Sequence, residues 1–317
     1  MSAHAASFSY AAFNRGYDWL VRAVAFGLAA LLMLGLGACD SETQTNETAP
    51  YPAANPLLYE VANAQGEVEG WLFGTIHALP ADVAWRTPAV EEVMAEADLL
   101  IVEVASLGQN DEVAEVFLEL SQSPGLPPLI ERVAPQFRED LDAMIDELGT
   151  SRAILRSSED WAAAIMLARL DAPGDPRYGV DRALITGFKG RKISGFETAR
   201  EQLGIFDQLA SQDQRALLEG TVEDWASSTD NRDKLVRAWI AGDVQTLEAA
   251  TSEGIMADPQ IREALLDDRN RDWLKQLEPI LDDGPKPLVA VGAAHLVGPD
   301  GLAEQLKQRG FTVTRVQ

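Results

Sequence analysis

The chain has 317 residues, 46% of them apolar, which suits a globular body of one large domain or two small ones. Its 26 Lys and Arg stand against 50 Asp and Glu, a net charge of −24. That excess of carboxylates excludes a phosphate-reading nucleic-acid surface and electrostatic attachment to anionic headgroups. The single cysteine excludes an internal disulfide framework and any multi-cysteine zinc site.

Residues 23–38 (AVAFGLAALLMLGLGA) form one apolar run preceded by Arg15 and Arg22. At 16 residues the run is shorter than the roughly 20 that span a bilayer comfortably. A basic flank, an apolar stretch and small residues at its end describe a secretory signal. Leu36-Gly37-Ala38-Cys39 resembles the lipobox of bacterial lipoproteins, in which the cysteine is lipidated and becomes the mature N-terminus. In some Gram-negative lipoproteins an aspartate in the place of Asp40 retains the protein at the inner membrane. The reading is a signal peptide over 1–38, a lipidated Cys39 with a polar, disordered tether to 55, and a folded body over 56–317. The location expected is the bacterial cell envelope, lipid-anchored on the periplasmic face of the inner membrane.

In the body, Leu57–Val61 and Val68–Phe73 read as a hairpin turned by Asn63-Ala64-Gln65-Gly66. Pro88 opens a helix, and Asp98–Ala105 is a strand made for burial that nevertheless holds Glu103. Pro135–Leu148 carries apolar residues at helical spacing and ends at Gly149. Glu159–Leu170 and Val180–Phe188 are helices, and Lys192–Glu197 is a short strand. From Arg200 to about Leu281 the pattern is helical, broken near Ser211, Asp230, Gly242, Asp258 and Asp268. Strand Pro287–Val291, loop Gly292–His295, helix Gly301–Gln308 and strand Phe311–Val316 close the chain. Strands at both ends of a helical middle predict an α/β (α+β) domain with a small mixed central sheet flanked by many helices.

Of three histidines, His4 lies in the leader, which leaves His77 and His295. Each ends a G-x-x-H unit that follows an apolar strand: Gly74-Thr75-Ile76-His77 and Gly292-Ala293-Ala294-His295. Ligands of open α/β sheets gather beyond the carboxyl ends of strands. The two imidazoles therefore belong either to one shared site or to two unrelated strand caps. Two imidazoles are too few for a catalytic ion, which takes three protein ligands and a water. Glu103 is the best third candidate, since a buried carboxylate needs a cation or a metal beside it; a partner arginine is the alternative. No H-E-x-x-H helix is present.

The segments WLFGTIHALP (71–80), LLIVEV (99–104), YGVDRAL (178–184), GRKISGFET with EQL (190–203), RAWIAGD (237–243), LLDDRNRDW (265–273) and VAVGAAHLVGPDGLAEQL (289–306) resemble, in order, those of the TraB/GumN family. That family is related to the Tiki membrane metalloproteases, and the likeness is to its bacterial GumN-like lipoprotein branch. The resemblance implies a fold like the erythromycin esterase and haem-binding ChaN group. It implies that His77 and His295 are metal ligands or bases, that Glu103 is the strand glutamate, and that Arg269 sits in the site. Glu197 matches a recurrent glutamate, and Tyr178 is a weaker match.

The expected function is a metal-dependent, peptidase-like hydrolase of the envelope. His77, His295 and Glu103 would bind a divalent ion (zinc, manganese or cobalt), Glu103 serving as ligand or base, while Arg269 neutralises the oxyanion. The substrate would be a peptide or a small amide or ester. Two other readings stand beside it: a metal-free esterase-type hydrolase with a histidine base, and a non-catalytic periplasmic lipoprotein that binds a metal or haem. The tryptophans read as core.

Overall fold

The computed structural model describes residues 50–317 except 109, 150–151, 173 and 228–229. The apolar run 23–38, Cys39 and the first part of the tether lie outside the described residues. Among the described residues no helix is long and apolar enough to cross a membrane.

Six strands form one mixed sheet: β1 (Leu58–Ala62), β2 (Val68–Thr75), β3 (Leu99–Val104), β4 (Lys192–Glu197), β5 (Pro287–Gly292) and β6 (Thr312–Arg315), in the order β4-β3-β5-β2-β1-β6. The expected hairpin is present. Asn63 Oδ1 accepts from the backbone N–H of Gln65 and of Glu67 at 2.9 and 3.0 Å, and Gly66 supplies a φ of 82°. β4, β3, β5 and β2 run parallel, while β1 pairs antiparallel with β2 and β6. β3 and β5 are buried on both faces, which is why they read as apolar runs, broken only by Glu103 in β3.

Alternation along β3 sends Leu99 and Ile101 to one face and Leu100 and Val102 to the other. The first face packs under helices Asp268–Asp283 and Leu302–Gln308. The second packs under helices Pro88–Glu96, Val180–Gly187 and Asp230–Ala241. A third apolar cluster, built by the helices between Asn110 and Asp267, joins the sheet at Val104, the last residue of β3. The expected helix over 135–148 begins as a 3-10 turn and becomes α-helical at Arg138, with Gly149 in the left-handed conformation at its end. Helix Asn110–Leu120 falls in a stretch to which the sequence reading assigned no element.

One loop contact fixes the exit of β2. Val180 N–H donates to Ile76 O at 2.9 Å, and Leu79 and Asp175 exchange backbone bonds at 3.0 and 3.4 Å. The 174–181 segment thus clamps the chain on both sides of His77. A Cβ on Gly179 would lie 2.1 Å from His77 O, so only glycine permits this approach. Gly179→Ala should therefore destabilise the protein by about 1–3 kcal/mol, read from the urea midpoint.

Candidate functional site

The carboxyl ends of four adjacent parallel strands converge on one polar cluster. Along the sheet these ends present Glu197 on β4, Glu103 on β3, Gly292 leading to His295 after β5, and Thr75 leading to His77 after β2. Gly74 lies opposite Val291 and Thr75 opposite Gly292, so the two G-x-x-H units leave neighbouring strands at the same level.

Arg269 is the centre of the inner network. It stands on helix Asp268–Asp283, directly after the π-helical turn Glu263–Asp267. Its Nε donates to Glu197 Oε1 (2.9 Å), and Nη2 donates to Glu197 Oε2 (3.0 Å) and Glu103 Oε2 (2.7 Å). Its Nη1 donates to Leu265 O (3.1 Å) and to His295 Nε2 (3.2 Å). These five contacts match the five N–H groups of a guanidinium. Trp273 closes the network, with the Arg269 guanidinium 4.6 Å above its ring and its indole N–H donating to Glu197 Oε1 at 2.8 Å.

Glu103 is buried, yet each of its oxygens is engaged. Oε1 accepts from Gly292 N–H at 2.8 Å, and Oε2 accepts from Gln202 Nε2 at 2.9 Å as well as from Arg269. Gln202 is delivered by helix Ala199–Asp207, which starts straight after β4 on a Thr198–Glu201 capping box. Burial alone would raise the Glu103 pKa, but the adjacent Arg269 overrides it and holds the carboxyl well below the usual range.

The two histidines are driven in opposite directions. His295 is fully buried. Its Nε2 faces a guanidinium, which only donates, so Nδ1 carries the proton and donates to Asn270 Oδ1 at 2.7 Å. Asn270 is oriented in turn by donating to Asp300 O at 2.9 Å. Burial, and after it the Arg269 charge, depress the His295 pKa from 6.5 to about 3, so the ring is neutral. For His77 burial also acts downward, but Asp181 outweighs it and, with Glu103, lifts the pKa from 6.5 to about 9. Nδ1 of His77 lies 2.6 Å from Asp181 Oδ2, whose other oxygen accepts from the Thr75 hydroxyl at 2.6 Å. Nε2 of His77 is buried and has no hydrogen-bond partner among the described residues. His77 lines a cavity of about 30 Å³ together with Trp239, Leu247 and Ala293. On the far side of the network, Glu197, Arg269 and Trp273 line an open cleft of about 440 Å³.

The structure thus brings His77, His295, Glu103, Glu197 and Arg269 to one end of the sheet. Tyr178 stays outside, 42% exposed. Sequence reasoning missed Asp181, Thr75, Gln202, Asn270 and the Trp273 indole. Asp181 had two visible signals, its place in the YGVDRAL segment and an acid beside Val180 at the start of an apolar-faced helix.

A metal ion held by His77, His295 and Glu103 needs a free lone pair from each. His295 Nε2 and both Glu103 oxygens are already accepting hydrogen bonds, and the cation among them is a guanidinium. Among the described residues no group of three His, Cys, Asp or Glu side chains is arranged to hold an ion. In this arrangement the one lone pair of neutral His295 faces the Arg269 guanidinium, which leaves at most His77 and Glu103 Oε1, and the set does not fit a three-ligand site.

Two expected outcomes follow from the charges. Arg269→Met leaves buried Glu103 and partly buried Glu197 without their cation, and should cost about 3–5 kcal/mol in urea unfolding. The same change should raise the His295 pKa, read by NMR, because one cause of its depression is gone. The second concerns pH. The unfolded chain takes up the His295 proton near 6.5 and the folded chain only near 3, so stability falls as pH drops through that window. The His77 contribution is complete below 6.5 and is lost as pH rises to about 9. Stability should peak near pH 6.5, and His77→Gln should remove an alkaline slope on the order of 3 kcal/mol in thermal or urea melts.

Comparison with known proteins adds one positive finding, a match of residues 57–315 to the sequence profile of the TraB/PrgY/gumN family. No curated protein and no solved structure matches the chain. The profile spans the whole sheet, from the residue before β1 to the last residue of β6, and on that extent the chain belongs to the TraB/PrgY/gumN family.

Proposed function

We propose that this protein is a hydrolase of carboxylic-acid derivatives, a peptide, amide or ester bond, in which His77 is the proton-transfer group and no metal ion is required. The observation that carries the reading is the bare Nε2 of His77, buried beside a cavity and backed on its other nitrogen by Asp181. An imidazole held on one side by a carboxylate and open on the other is the arrangement of a general base. Asp181 sets the tautomer and the ring plane, and Thr75 holds Asp181. His77 Nε2 would take a proton from water as its oxygen attacks the carbonyl carbon, then return it to the leaving group. Arg269, with every N–H engaged, serves to hold Glu103, Glu197 and His295 rather than to meet an oxyanion. The leader and Cys39 support a lipid-anchored enzyme of the cell envelope acting on substrates there.

The test is hydrolysis of p-nitrophenyl acetate and of a peptide library by the purified protein, before and after metal stripping. Activity should survive chelation, vanish in His77→Gln and fall at least tenfold in Asp181→Asn. Because His77 is protonated up to about 9, kcat/KM should rise close to tenfold per pH unit toward that value. Activity lost on stripping and restored by zinc, manganese or cobalt would overturn the metal-free reading in favour of a metal-dependent hydrolase. Stoichiometric binding of an ion or haem without turnover would replace both with a binding protein.

A further inference from the structure

β4 is one edge of the sheet, and its outer side is open. It pairs only with β3, and among the described residues no loop backbone bonds to it. The strand is half exposed over 193–195, whereas β3 and β5 are buried throughout. Phe196 O accepts from Gln276 Nε2 at 3.3 Å, a side chain outside the β3–β4 ladder. Peptide groups point to alternate sides along a strand, so the N–H and C=O of Ser194 face outward with those of Phe196. Such an edge is a template for a further strand, and proteins blunt it with proline or lysine. β4 has no proline, and its one basic residue, Lys192, stands at the end away from the site.

The edge leads into the cleft of about 440 Å³ at the carboxyl end of β4, a volume within the roughly 300–1,000 Å³ of ligand-holding clefts. Gln276 belongs to both, since it bonds Phe196 O and lines the cleft. Ile205 and Leu209 are its apolar walls, and buried Phe196 and Trp273, stacked with ring centroids 5.2 Å apart, form its floor. The carboxylates Glu197, Glu201, Asp268 and Asp272 line it against one cation, Arg269, whose N–H groups are all engaged. The pairs of Asp268 with Arg271 and of Asp272 with Lys275 are exposed on both sides and worth little.

We propose that the outer edge of β4 and this cleft bind an extended peptide segment rich in lysine or arginine. Its main chain would pair with Ser194 and Phe196, and alternate side chains, on the same side as Phe196, would enter the cleft. The acidic lining selects basic side chains there, and Ile205 and Leu209 receive their methylene stems. The inference deepens the hydrolase reading by naming its substrate class, and its link to turnover rests on that reading.

The probe is an acetylated, amidated hexapeptide of alternating lysine and valine, titrated into the full-length protein and followed by fluorescence anisotropy and 15N NMR. Binding should saturate and slow hydrogen exchange at the Ser194 amide at least tenfold. The same peptide N-methylated on its lysines, or on its valines, keeps its charge but cannot pair along one edge. One of the two should bind at least tenfold more weakly. Ser194→Pro removes an outward N–H and spares the inner ladder, and should also lower affinity at least tenfold. If that variant does not fold, the N-methylated peptides carry the test on the wild type. Asp272→Lys should weaken binding at least fivefold more than Asp282→Lys, the same charge change on the same helix outside the cleft. Full affinity of both N-methylated peptides, an unprotected Ser194 amide, or equal weakening by the two lysine variants would overturn the edge assignment and leave only general attraction to an acidic chain. Edge binding without cleavage of the peptide or of p-nitrophenyl acetate would support the assignment and count against the hydrolase reading alone.

Discussion

Everything at the carboxyl end of the sheet depends on the Arg269 guanidinium being buried between Glu103 and Glu197. A carboxylate on a strand with apolar neighbours on both sides can stay ionised only beside a cation, and Arg269 Nη2 at 2.7 Å supplies it. The same planar group reaches Glu197 through two nitrogens, so one side chain ties the ends of β3 and β4 to helix Asp268–Asp283. Lysine has no such fork, and the stacking of Arg269 on Trp273 depends on the same planarity. The site is therefore part of what joins the sheet to its helical cover.

The asymmetry of the two histidines follows from where that charge sits. His295 touches the guanidinium and is kept neutral, with both ring nitrogens engaged. His77, beyond Gly292, sees Asp181 and the field of Glu103 instead, and is kept charged. Two imidazoles in matching G-x-x-H units thus end with different chemistry. One is a fixed member of a hydrogen-bond network. The other keeps one ring nitrogen without a hydrogen-bond partner among the described residues, in a ring that borders a small cavity.

The 174–181 segment gives His77 its partner without belonging to the sheet. Gly179 passes against the carbonyl of His77, and Val180 begins the helix that carries Asp181. A residue with a side chain at 179 would push Asp181 away from the imidazole. Backbone clearance and the protonation state of His77 are coupled through that one contact.

Much of this was legible in the residues. The apolar runs of β3 and β5, the Asn63–Gly66 turn and the helical spacing of 135–148 each follow from local pattern, because burial on two faces, turn chemistry and a 3.6-residue period leave marks in short windows. Both G-x-x-H units, and the oddity of an acid inside an apolar strand, could be read the same way. The ordered motifs identified the family that the profile match shows. What the residues could not decide was partnership. Glu103 could have faced a metal or an arginine, and its neighbour lies 166 positions away on a separate helix. Asp181 is 104 positions from His77, and Asn270 is 25 from His295, with no local period to link them. Sequence by itself determined which side chains were chemically capable and which strands would be buried. Only the tertiary structure decided which nitrogen stays open, because that depends on which long-range donor reaches each lone pair first.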